Sequence, residues 1–121
     1  MKVEVPWSLN RTELAWAAGF FDGEGCCRPR SEQRKGRGAI SFVIAQTDRQ
    51  VLDRFKRAVG VGRIYGPYKP RTPRHSKYYV YNCAKFSESV ALAGLLWWAL
   101  SPIKRKDIKT TFTQYFKGGR R

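Results

Sequence analysis

Acids are scarce in this chain. Its 121 residues hold 9 Asp and Glu against 24 Lys and Arg, for a formal net charge of +15 and a sequence pI near 10.3. A hydrophobic content of 42% excludes a disordered basic tail, so the expectation is a folded basic protein whose partner is a polyanion. Cysteine is scarce too: Cys26, Cys27 and Cys83 include an adjacent pair and have no histidine or cysteine at metal-ligand spacing. Neither a zinc site nor a disulfide framework is supported, which points to a reduced, intracellular protein. No apolar run reaches membrane-spanning length, and MKVEVPWSLN lacks the apolar core of a signal peptide. A soluble, unprocessed chain with no membrane partner and no small-molecule substrate is expected. The length suits one domain, 1–121 with a core at about 10–117, and any two-sided action then needs a second copy.

What is present follows an ordered pattern. Ser8 or Asn10 can cap a helix starting near Arg11 or Thr12, with Glu13 in its first turn, and Gly23 and Gly25 are placed to stop it. In that helix Ala15, Ala18, Gly19 and Asp22 fall at i, i+3, i+4 and i+7, a small-residue stripe suited to close approach of a second copy's helix. Leu14, Ala17, Phe20 and Phe21 carry the bulk expected of a core face. From Cys26 to Arg34 the chain reads as a strand, KGRG at 35–38 as its turn, and AISFVIAQ as the returning strand, with Ile40, Phe42 and Ile44 on one face. Asp48 begins a second helix, DRQVLDRFKRAVG, whose end is marked by Gly60 and whose apolar stripe is Val51, Leu52, Phe55 and Val59. A second hairpin follows, with strands near 62–67 and 77–83 around the basic, proline-rich loop PYKPRTPRH. The last elements are an apolar helix from Ser87 to about Leu100 and an amphipathic one from Lys104 to Phe116. The order implies an α+β domain in which four antiparallel strands form one sheet with helices on one face.

The two acids Asp22 and Glu24 stand where the first helix ends, behind alanines, glycine and aromatics. Carboxylates there, beside exposed helix-end carbonyls, can hold a hard divalent cation such as Mg²⁺ through oxygen ligands, and such an ion can activate water at a phosphodiester. Without a metal, that acidic spot would repel the phosphates which the arginines attract.

The segment AAGFFDGEG, Ala17 to Gly25, resembles the nine-residue signature of the LAGLIDADG homing endonucleases: Ala18, Gly19, Asp22 and Gly25 match, and Glu24 replaces the second aspartate. FVIAQTDRQVLDRFKRAVGVGRI and SPIKRKD also resemble family segments, so the likeness spans roughly 10–117. The resemblance implies an αββαββα fold with a saddle-shaped sheet, and a homodimer paired through the signature helices. It further implies Glu24 as direct metal ligand beside the Gly23 backbone carbonyl, Asp22 in a supporting role, and Mg²⁺ as cofactor with Mn²⁺ able to substitute. Gln46 would orient water near the scissile phosphate and Lys104 would stabilise developing phosphate charge. Where family members often place a further basic side chain stands Gln50, with the adjacent Arg49 able to substitute.

Double-stranded DNA is then the expected partner, in a long pseudo-palindromic target cut with divalent metal. Arg28, Arg30, Glu32 and Arg34 alternate on the first strand, with Arg37 and Ser41 extending their surface, and a two-stranded ribbon of this kind fits the major groove. Tyr65, Tyr68, Lys69, Arg71, Arg74, His75 and Lys77 form an aromatic and basic patch able to meet phosphates, sugars or thymine methyls. Two rivals stand beside this reading: an intron maturase or DNA-binding protein of the same fold without cleavage, and a ribosomal or architectural protein bound by charge.

Overall fold

A computed structural model describes residues 9–30, 39–72, 74 and 76–118, with Arg30 and Gly118 described by backbone alone. The first helix, α1, spans Arg11–Glu24, and Asn10 is its cap: Oδ1 accepts from the Glu13 N–H at 3.0 Å. Gly23 does not stop it. The helix runs to Glu24, and Gly25 caps the end with its N–H donating to the Phe21 carbonyl. Glycine is required at this junction because a Cβ on Gly25 would overlap the fully buried Phe21 ring. Gly23, by contrast, has open space around it, so the helix passes through.

Strand β1, Gly25–Arg30, follows at once and pairs antiparallel with β2, Ala39–Gln46. The strand expected to reach Arg34 is described only to Arg30; Glu32, Arg34, Arg37 and the KGRG turn lie outside the described residues. Pro29 is tolerated because β1 is an edge strand, with β2 as its one neighbour among the described residues. Helix α2, Arg49–Val59, is bounded as its sequence signals: Asp48 Oδ1 accepts from the Gln50 N–H at 2.9 Å, and Gly60 closes the end in the left-handed region at φ 76.

The second hairpin joins β3, Arg63–Tyr68, to β4, Tyr78–Cys83, and the four strands lie in the order β1-β2-β4-β3, antiparallel throughout. Helix α3 spans Phe86–Trp97, shorter than expected because Ala99 and Leu100 turn back onto the Leu96 and Trp97 carbonyls. Helix α4, Pro102–Gly118, starts earlier than expected. Pro102 at its first position lacks an N–H that would have no partner there, and Ser101 Oγ accepts from the Lys104 N–H at 3.3 Å.

Alternation divides the sheet cleanly. Cys27, Ile40, Phe42, Ile44, Tyr81 and Cys83 turn inward and pack with Leu14, Ala17, Ala18, Phe21, Leu52, Phe55, Leu92, Leu96 and Ile108 from the helices. Phe21 meets Phe42 at 5.6 Å between ring centroids, and Phe55 meets Tyr81 edge-on at 4.9 Å. Tyr81 is fully buried, and its hydroxyl is satisfied by the Val61 carbonyl at 2.8 Å. The opposite face, carrying Arg28, Val43, Ala45, Val80 and Asn82, has no helix on it among the described residues and forms a broad concavity.

Candidate nuclease centre and nucleic-acid face

Three elements converge at the end of α1. Gly25 pairs with Ile44, which brings the last residue of β2 beside the helix end; there Gln46 Nε2 donates to Glu24 Oε1 at 2.9 Å. Lys104, in the first turn of α4, donates from Nζ to the Gly25 carbonyl at 2.6 Å and lies 5.7 Å from the Phe21 ring centroid. Glu24, Gln46 and Lys104, expected to act together, are therefore gathered at one place although 80 positions separate the first from the last.

Asp22 faces the other way. Its Oδ1 and Oδ2 lie 3.1 and 3.2 Å from the Ser101 N–H, and Oδ1 also accepts from Ser101 Oγ at 2.9 Å. Ser101 Oγ in turn receives the Lys104 N–H. The two signature acids thus differ in kind: Asp22 is consumed in tying the end of α1 to the start of α4, whereas Glu24 is exposed and held by one neutral amide. Sequence reasoning missed Ser101, although a serine directly before a proline is a helix-start signal.

The donor set fits a hard cation. Among the described residues no three His, Cys, Asp or Glu side chains cluster, so a site that encloses a metal with protein side chains alone is not formed. One exposed carboxylate and the free carbonyls at a helix C-terminus suit Mg²⁺, which dehydrates reluctantly and keeps several waters. Gly23, also exposed, belongs to that last turn.

The small-residue stripe is rotated from its expected position. Ala15 and Gly19 are exposed, but Ala18 is fully buried against the core and Asp22 turns inward to Ser101. At about 100° per residue Ala18 falls on the core-side shoulder, so the open small face is Thr12, Ala15, Gly19 and Gly23. Beside it, Arg54 forms a two-pronged pair with Glu13 at 2.9 and 2.8 Å and lies 3.8 Å over the Trp16 ring, joining α1 to α2. That guanidinium holds the Glu13 carboxyl below the usual range.

Of the residues expected to meet DNA, Arg28 and Tyr65 are exposed on the helix-free face. Ser41 is on that face but buried, its Oγ donating to Asn82 Oδ1 at 3.2 Å. Tyr68, Lys69, Arg71, Arg74 and Lys77 are exposed around the second hairpin, with Tyr68 5.5 Å from the Tyr78 ring. Arg49, at the start of α2, is engaged by Asp53 at 3.6 Å. Arg30 is described only as β1 backbone, and His75 lies outside the described residues. The same face also carries Arg63, Val43, Ala45, Val80 and Asn82, which sequence reasoning did not select. Those on β4 could not be assigned a face until its pairing with β2 was known, since aromatic residues occupy both.

No family model matches the chain, and no curated protein does. Solved structures do. An archaeal intron-encoded homing endonuclease complexed with DNA is 32% identical, with a TM-score of 0.57, over 70% of this chain and 54% of that one. The LAGLIDADG meganuclease I-AabMI bound to uncleaved DNA is 28% identical, with a TM-score of 0.66, over 88% of this chain and 36% of that one. The homing endonuclease I-CvuI, in complex with its target in the presence of calcium, shares the fold at a TM-score of 0.70 and 19% identity, over 91% of this chain and 69% of that one. The chain thus spans from about a third to about two thirds of the length of these three proteins.

Proposed function

We propose that this chain, a member of the LAGLIDADG homing-endonuclease family by its fold and signature helix, is a metal-dependent, site-specific double-strand DNA endonuclease. The observation that carries the reading is the convergence of Glu24, Gln46 and Lys104 where α1 ends, beside a helix-free sheet face in a chain of net charge +15.

Glu24 and the Gly23 carbonyl would hold Mg²⁺, with Mn²⁺ as a substitute of similar oxygen preference. Such an ion, when bound, supplies activated water and charge stabilisation at the departing oxygen. Gln46 fixes the Glu24 carboxylate through its amide N–H, and its own carbonyl oxygen can accept from the attacking water. Lys104 keeps an ammonium at the same end, where it opposes the charge that develops on the phosphate. Asp22, through Ser101, sets the position from which Lys104 reaches.

One signature gives one such centre per chain, and cutting two strands takes two. A homodimer paired through the small face of α1 supplies the second and makes the target long and roughly palindromic. DNA defines where the protein acts: cytoplasm, nucleoid or a DNA-containing organelle. The test is incubation with a plasmid library carrying randomised sites in Mg²⁺. Linear products sharing one two-fold-related sequence support the reading; an intact library from which one sequence is nonetheless bound tightly shows a binding protein without cleavage. Binding without any sequence preference removes both.

A further inference from the structure

Resting on the nuclease reading, we propose that the inner part of the sheet face recognises thymine through its 5-methyl group, by an apolar patch of Val43, Ala45 and Val80. The register places these side chains together. One row across all four strands reads Cys26, Val43, Asn82, Arg63, and the next reads Ala45, Val80, Tyr65. Val43 and Val80 are half-buried and Ala45 is exposed, all on the face that no helix covers. They have no core to join, and a face meant only for phosphates would carry cations at its centre. Here the cations, Arg28 and Arg63, stand at the edges.

That arrangement matches the major-groove edge of an A·T pair. Thymine presents a methyl group and the O4 acceptor side by side, and no other base in unmodified DNA offers the pair. Methyl contact falls to the apolar patch, and the acceptor falls to a donor next to it. Asn82 is suited to donate there, because its Oδ1 accepts from the Ser41 hydroxyl at 3.2 Å and its amide nitrogen remains as the donor end of the side chain. Asn82 lies directly across from Val43 and one row from Val80. The flanking arginines supply charge complementarity to the phosphates on either side.

The patch also has a defined position along the target. Ala45 immediately precedes Gln46, which holds Glu24, and Cys26 follows Glu24 by two residues. The thymines it reads therefore lie in the part of each half-site nearest the cleavage centre, while Arg28, farther along β1 from Glu24 and paired with Ser41, meets positions outside them.

The experiment takes a target selected by binding in Ca²⁺ and replaces its thymines with deoxyuridine, one position at a time. This removes the methyl group and leaves pairing and O4 intact, and it leaves the protein unchanged. Loss of one apolar methyl contact weakens binding roughly fourfold at each inner thymine. Outer thymines show less than a twofold change. In the Val43→Thr/Val80→Thr variant, whose β-branched side chains preserve the strand, the inner penalty falls below about twofold. Equal affinity for thymine and uracil targets, or a penalty that survives in the threonine variant, overturns the proposal while the nuclease reading stands. A protein that selects no sequence at all overturns the nuclease reading, and this inference with it.

Discussion

Gly19 sits in the middle of α1 on its open face, and nothing lies within 4 Å of where a Cβ would be. Inside one chain an alanine there is sterically free and removes the entropy penalty of a helical glycine, so Gly19→Ala stabilises the isolated chain by about 0.5–1 kcal/mol. With an unfolding entropy of about 2.1 cal/mol/K per residue, that raises its melting temperature by about 2–4 °C. If α1 of a second copy packs on Ala15 and Gly19, the added methyl stands between two backbones, and overpacking costs about 1–3 kcal/mol of association. The dimer then dissociates roughly five- to 150-fold more readily. Gly94 on α3 is the control, for it also is exposed with open space around it. Gly94→Ala should raise the melting temperature and leave association alone. Sedimentation equilibrium over a concentration series, with melts at the lowest concentration, reads both effects. If Gly19→Ala self-associates as tightly as the parent chain, the small face of α1 is not the pairing surface.

Asp22→Ala strands Ser101 and unties α1 from α4, with an expected loss of about 2 kcal/mol and a fall of about 8 °C in melting temperature; an unchanged melt would show that the contact is idle. Cys26 is exposed while Cys27 and Cys83 are buried, and burial pushes the Cys27 thiol up to about 12. One equivalent of an alkylating reagent should therefore react with the folded protein at pH 8, and three equivalents would contradict the packing. Because the Cys27 value is raised on folding, its stabilising contribution is complete below its ordinary value of 9.0 and is lost as the pH rises towards about 12. Melting temperature should fall across that window, less steeply in Cys27→Ala.

Local chemistry made much of the fold legible. Asp48 and Gly60 bound α2 because a cap and a left-handed glycine act through neighbouring backbone, and the alternation in AISFVIAQ assigns β2 its faces from side-chain type alone. The ends of α3 and α4 were misjudged because Leu100 is buried by tertiary packing, which lets an apolar run outlast its helix. The stripe on α1 was misplaced by one shoulder for a related reason. Alanine is equally at home in a core and on a pairing face, so spacing alone could not show that Ala18 faces inward. Glu24 stood out, with Asp22, as an acid at a helix end in an acid-poor chain, but its grouping with Gln46 and Lys104 came through resemblance, since nothing local links positions so far apart. Ser101 and Asn82 act through partners 79 and 41 positions away and became visible only in the fold.

Glu24 is proposed to hold the ion on which cleavage, not DNA binding, depends, and Glu24→Gln tests this with a near-isosteric change at an exposed position. Wild-type and variant chains are titrated against one selected duplex in Ca²⁺ for binding, then switched to Mg²⁺ under single-turnover conditions for cleavage. Binding within about threefold of wild type, with cleavage lowered by roughly 10³ or more, is the predicted result for loss of a ligand that supports the reaction. Cleavage by the variant at the wild-type rate would place the chemistry elsewhere and contradict the assignment.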